Sequence, residues 1–162
     1  MAAEIGIVAS LIAISGAGIT LTKALYDFGS IAAGAQAQVD RIGRNVSYYS
    51  ETLDLLAEEI GNDRSLHSQK AVRLVEKLYD GSHYIFDEIH GLIPDRQRTR
   101  DQFTFLQRIA WNFKKTKVDL LIGELENLKS TAQLLVSVLC LARELQTYGQ
   151  AEFSNQFTDR IG

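Results

Sequence analysis

Three side chains in one stretch of this sequence could share a helix face: His83, Asp87 and His90, at spacings of four and three. Two imidazoles and a carboxylate are candidate metal ligands. The two histidines, however, stand about two turns apart, roughly 10 Å along a helix, too far for one tetrahedral ion without distortion. The Glu-x-x-His pair of di-iron bundles does not occur, so no metal site is expected. Gly16-Ala17-Gly18 superficially suggests a phosphate loop, but it has no preceding strand, no full GxGxxG and no following Lys-Ser/Thr. In a helix these glycines serve close backbone approach or a hinge. Cys140, the single cysteine, lies in the apolar run LLVSVLCLA. There a thiol packs as a small apolar side chain and fits a reducing compartment. This inventory points to no enzyme and no cofactor.

The elements that must carry these residues are helical. The chain has 162 residues, enough for one domain with a core of its own. Its apolar fraction of 46% and charged fraction of 23% exclude a disordered tail. With one proline, Pro94, long helices are permitted. A first helix is expected over 3–28, then a connection bracketed by Gly29 and Gly34. A second is expected over 35–60, with the heptad seam Val39, Ile42, Val46, Tyr49, Leu53, Leu56 and Ile60; Gly61 supplies a left-handed cap. A third, capped by Ser65, covers 66–91 with the seam Ala71, Val75, Leu78, Ser82, Ile85, Ile89 and Leu92. Pro94 stops it, and DRQRTRD reads as a loop. A short helix follows over 102–113, anchored by Trp111. The last helix, 115–148, has the seam Val118, Leu121, Leu125, Leu128, Ala132, Leu135, Leu139 and Ala142. From Leu134 to Ala142 it is apolar nearly all round, which places that half at the centre under the other helices. The tail after Gly149 reads as frayed. The fold expected is all-α: a single bundle of four to five helices with left-handed packing, an apolar N-terminal helix and a long central C-terminal helix.

The N-terminal helix has a second use besides packing. Ile5 to Thr22 carries no charged side chain, and these eighteen residues make a helix of roughly 27 Å, close to the hydrocarbon thickness of a bilayer. Ser10, Ser15, Thr20 and Thr22, with Gly6, Gly16 and Gly18, make it a poor permanent anchor. The early charge is Glu4, where a signal peptide wants a basic region. Such a segment is at home in a core or in lipid, and can choose between them. Small residues recur every four positions, at Ala9, Ala13 and Ala17 and at Ala2, Gly6 and Ser10, a ridge that suits close helix packing or oligomerisation.

Pro94 to Lys117 holds Arg96, Arg98, Arg100, Arg108, Lys114, Lys115 and Lys117 against Asp95 and Asp101, a local charge of +5 in a chain of net charge −3. With Phe103, Phe105, Trp111 and Phe113 interleaved, the stretch suits an anionic lipid surface or a partner. The acidity of the rest argues against nucleic acid. The bland alternative is a solvated loop whose cations are neutralised by Asp119, Glu124 and Glu126.

Two motifs in order carry a resemblance. The first is the opening acidic leader, the run Gly6-Ile7-Val8-Ala9-Ser10, and the exit Lys23 to Tyr26. The second is RIAWNFKKTKV from Arg108 to Val118, followed by Leu121, Leu125, Leu128-Lys129-Ser130 and Leu139. Over nearly its whole length the chain resembles the HeLo and HeLo-like domains of fungal STAND (NLR-type) receptors and cell-death proteins. That resemblance implies a bundle similar to the four-helix executioner domain of the mixed lineage kinase domain-like protein. It also implies a mechanism: a receptor or an amyloid-forming partner clusters the domains, the first helix is released into the membrane, and the cell dies, as in heterokaryon incompatibility. The effector segment it implies is Glu4 to Thr22, with Glu4, Ile5, Ile7, Val8, Leu11, Ile12, Ile14 and Ile19 as its insertion residues. The protein is then expected in the cytoplasm at rest and at the plasma membrane when active, as a homo-oligomer. The alternative is a non-lytic self-association or signalling module of such a receptor. The nucleotide-binding domain and amyloid motif of the family do not occur in this sequence, a departure that leaves the trigger implied by the resemblance without a counterpart here.

Overall fold

A computed structural model describes residues 2–30, 35–62, 69–93 and 105–158, with side chains over 6–30, 35–62, 69–93 and 116–149. Four helices follow one another: α1 (Ala2–Gly29), α2 (Gln36–Asn62), α3 (Gln69–His90) and α4 (Phe105–Thr158). Among the described residues there is no strand.

The heptad seams become the core. All seven seam positions of α2 are buried, and all of α3's except half-buried Ala71. On α4, Val118, Leu121, Leu125, Ala132 and Leu135 are buried, with Leu128 and Leu139 packed at the edge. Helices α1 and α4 each pack against both α2 and α3 and not against each other, so the cross-section is a ring in the order α1, α2, α4, α3. Chain direction alternates. Gly29 of α1 approaches Val39 of α2, Lys117 of α4 meets Glu88 of α3, and Glu59 of α2 meets Arg143 of α4.

The α2–α3 diagonal is bridged at mid-height by Tyr49, whose hydroxyl lies 2.7 Å from Ser82 Oγ and whose ring meets Phe86 edge-on at 6.1 Å. Ser82 also bonds the Leu78 carbonyl. Burial pushes the Tyr49 phenol up to about 12, a rise that the bond to Ser82 opposes. A phenol raised in the folded state is neutral in both states below its ordinary value near 10, so stability is untouched there. It is lost as pH climbs from about 10 to 12, by about 3 kcal/mol for this group. Tyr49→Phe is therefore expected to lack that alkaline loss, read as the difference between wild-type and variant denaturation midpoints across this window. Parallel alkaline curves would contradict it.

Four sequence expectations change. The helix expected over 102–113 is not separate: α4 runs unbroken from Phe105, because no glycine or proline stands between Phe105 and Val118 to stop it. Its C-terminal end is not frayed after Gly149 but helical to Thr158. Gly61 is no left-handed cap; α2 continues through it to Asn62. Most consequential, Leu134–Ala142 is not enclosed. Leu134, Val138 and Leu141 are exposed, and Cys140 is half-buried rather than enclosed. The reason is position. As one of four helices in a ring, α4 turns Ala132, Leu135 and Leu139 to the core and its far side to solvent; its 54 residues against the 22 to 28 of α1 to α3 add to the exposure toward its C-terminal end. The Ser65 cap, the Pro94 stop, the DRQRTRD loop and the Gly34 end of the first connection lie outside the described residues, and so does the Trp111 side chain.

Candidate functional site

The unusual element is α1. Its inner face carries Leu11, Ile14, Ser15, Gly18, Leu21, Thr22, Leu25 and Phe28, all buried. Its outer face carries Ala9, Ile12, Ala13, Gly16, Ala17, Ile19 and Thr20, all exposed. Surface helices place charges on that side; here no described side chain before Lys23 is charged. Ile12 is 55% and Ile19 57% exposed. Gly6–Gly29 is long and apolar enough to cross a membrane, the one such helix among the described residues.

The expected insertion residues thus divide between two faces. Leu11 and Ile14 belong to the core, Ile7 and Val8 pack at its edge, and Ile12 and Ile19 face solvent. The side chains of Glu4 and Ile5 lie outside the described residues. The small-residue ridge Ala9, Ala13, Ala17 faces outward and takes no part in the bundle's packing.

Among the glycines of α1 the closest approach to its neighbours is at Gly18. A Cβ there would come within 2.0 Å of Ser50 Oγ on α2 and 2.9 Å of the Phe86 ring on α3. One turn earlier Ser15 donates to the Ser50 carbonyl at 3.0 Å. The other hydroxyls of the segment turn back on their own helix: Ser10 bonds the Gly6 carbonyl, Thr20 that of Gly16 and Thr22 that of Gly18, at 2.9 to 3.0 Å. Those three groups carry their hydrogen bonds with them wherever the helix goes. Toward its N-terminal end α1 borders an open groove of about 540 Å³, between Gly6, Ile7 and Ser10 of α1 and Val72, Glu76, Tyr79 and Asp80 of α3.

The basic stretch is described in part. Arg96, Arg98 and Arg100 lie outside the described residues. Arg108, Lys114 and Lys115 are on the first turns of α4, with side chains outside the described set. Lys117 pairs with Glu88 of α3 at 2.5 Å rather than with the acidic residues of its own helix. The bond to Glu88 raises its pKa. Glu126 pairs with Lys129. His83 Nδ1 lies 3.0 Å from Asp87 on an exposed face, and among the described residues no group of three His, Cys, Asp or Glu side chains could hold a metal ion.

Close backbone approach or a hinge was the expected use of Gly16 and Gly18 alike; the approach is found at Gly18 and not at Gly16. Sequence reasoning missed the unpartnered outer face of α4. A signal existed in each case. Two helical glycines two residues apart are unfavourable without a packing reason, and Leu134, Val138, Leu141, Leu145 and Tyr148 form a second heptad stripe on the far side of the helix from the core seam. No protein-family model, no curated protein and no solved structure matches this chain.

Proposed function

We propose that this chain is a HeLo-like, membrane-targeting cell-death effector domain that rests in the cytoplasm as a closed bundle and acts by releasing α1 into the plasma membrane when clustered. The observation that carries the reading is that α1 is apolar on both faces: uncharged from Ile5 to Thr22, with Ile12 and Ile19 bare to solvent.

The energetics agree with such a switch. Docking buries Leu11, Ile14, Leu21, Leu25 and Phe28, on the order of 10 kcal/mol at about 1.5–3 kcal/mol for each side chain. Release into water forfeits that amount, whereas release into lipid recovers most of it. The self-bonded hydroxyls leave Ser15 as the described side chain of the segment whose partner on α2 is lost. Clustering raises the local concentration of released helices and favours joint insertion. The basic stretch preceding Lys117 would bring the domain to anionic lipid.

The test is dye release from anionic vesicles by the intact chain, free and artificially clustered. Release that depends on the outer face of α1 supports insertion. No release, even when clustered, moves the assignment to a non-lytic self-association module, a reading favoured by the exposed stripe on α4.

A further inference from the structure

The stripe on α4 is long, regular and uncovered. Leu134, Val138, Leu141, Leu145 and Tyr148 repeat at intervals of 4, 3, 4 and 3, and each is between 52% and 73% exposed. They lie on the side of α4 opposite Ala132, Leu135 and Leu139, which meet the core. Scattered surface leucines are ordinary, but five apolar residues in register over about 21 Å form a continuous face. We propose that this face is where two copies of the chain pair across a two-fold axis, α4 against α4.

Three observations commit it to a second copy. The first is the period. A mean interval of 3.5 residues is that of a helix packed on another helix, which keeps such a seam in contact along its length. The second is area. The five side chains expose roughly 600 Å² together, so an isologous pair removes at most about 1,200 Å² from them, which reaches the lower bound of a specific stable interface. The third is charge. The first part of the stripe, Leu134 to Leu141, carries no charged residue. Lys129 before it pairs with Glu126 at 2.5 Å; Arg143 farther along pairs with Glu59 at 2.9 Å, with exposed Glu144 beside it. The Leu134–Leu141 part of the face therefore meets its copy without like-charge repulsion, and the stripe lacks the free basic rim that an amphipathic helix uses on anionic lipid.

The pairing involves a different helix from membrane entry and does not rest on it. Sedimentation equilibrium of the full chain without lipid is expected to give twice the chain's mass, with a monomer fraction that grows on dilution. Leu134→Glu with Leu141→Glu is expected to raise the dimer dissociation constant about a hundredfold or more, with helical content unchanged, because like charges then face each other across the axis. Leu145→Glu, at a position that is 64% exposed, is a second variant that leaves the core untouched and is expected to weaken the dimer in the same direction. Ile12→Asp with Ile19→Asp is expected to remain dimeric whatever it does to leakage. The proposal is overturned if the wild-type chain is a monomer up to about 1 mM, or if the glutamate variants dimerise as well as wild type. It is equally overturned if the wild-type chain is monomeric and the glutamate variants lose vesicle binding, which would assign the stripe to lipid.

Discussion

Replacing Ile12 and Ile19 together with aspartate is expected to abolish vesicle leakage while leaving the bundle folded. Both side chains are more than half exposed, so the substitutions change folding stability by no more than about 0.5 kcal/mol each. In the bilayer the balance is different. Near the centre of a spanning helix an aspartate is unfavourable by about 2.5–3.5 kcal/mol where an isoleucine is favourable by a few tenths. Two such changes shift partition into the membrane by roughly ten-thousand-fold. The measurement is the initial rate of dye release beside the thermal midpoint of the same preparation. Undiminished release with an unchanged midpoint would exclude α1 as the inserted segment. Leu11→Asp cannot serve this purpose, since Leu11 is fully buried and an unpaired charge there unfolds the bundle whatever the function. Deleting residues 1–22 fails for the same reason, because it removes Leu11, Ile14 and Leu21 from the core.

The opposite effect is expected at Gly18. Leucine at this position puts its Cβ into Ser50 and the Phe86 ring and must push α1 away from α2 and α3. Overpacking of this kind destabilises the docked state by about 3 kcal/mol or more. The released helix does not share that loss: leucine is a better helix former than glycine by nearly 1 kcal/mol and is favourable in lipid. The equilibrium between docked and inserted α1 therefore moves by roughly a hundredfold or more. Gly18→Leu is expected to melt earlier and to release dye faster without clustering. Gly16→Leu supplies the comparison, because a Cβ at Gly16 meets nothing within 4 Å. It adds the same helix propensity and lipid affinity with no clash, so its docked bundle is expected to stay intact. If Gly18→Leu loses stability without gaining release, undocking of α1 is not the step that limits activity.

These paired variants show where the sequence sufficed. The 3/4 spacing of Val39 through Ile60 and of Val75 through Leu92 marked the buried faces of α2 and α3 correctly, because a heptad on a helix admits one inward direction. Burial in α1 could not be read that way. With no charge between Ile5 and Thr22, nothing in the pattern distinguishes Leu11, fully buried, from Ile12, one residue on and exposed. The side of α1 that faces the core depends on where α2 and α3 stand, and so does the choice of Gly18 rather than Gly16 as the point of contact.

The sequence by itself determined an all-α fold, the core seams of α2 and α3 with most of that of α4, and an N-terminal helix uncharged from Ile5 to Thr22. These follow from local periodicity and charge, which a linear sequence displays. The tertiary structure alone decided that α1 wears an apolar face on each side, that it is held at Gly18 and Ser15, and that the apolar second half of α4 lies open. Those outcomes depend on the placement of the helices: a helix packed on two neighbours in a ring keeps its far side in solvent, and a helix without charges takes its orientation from its neighbours.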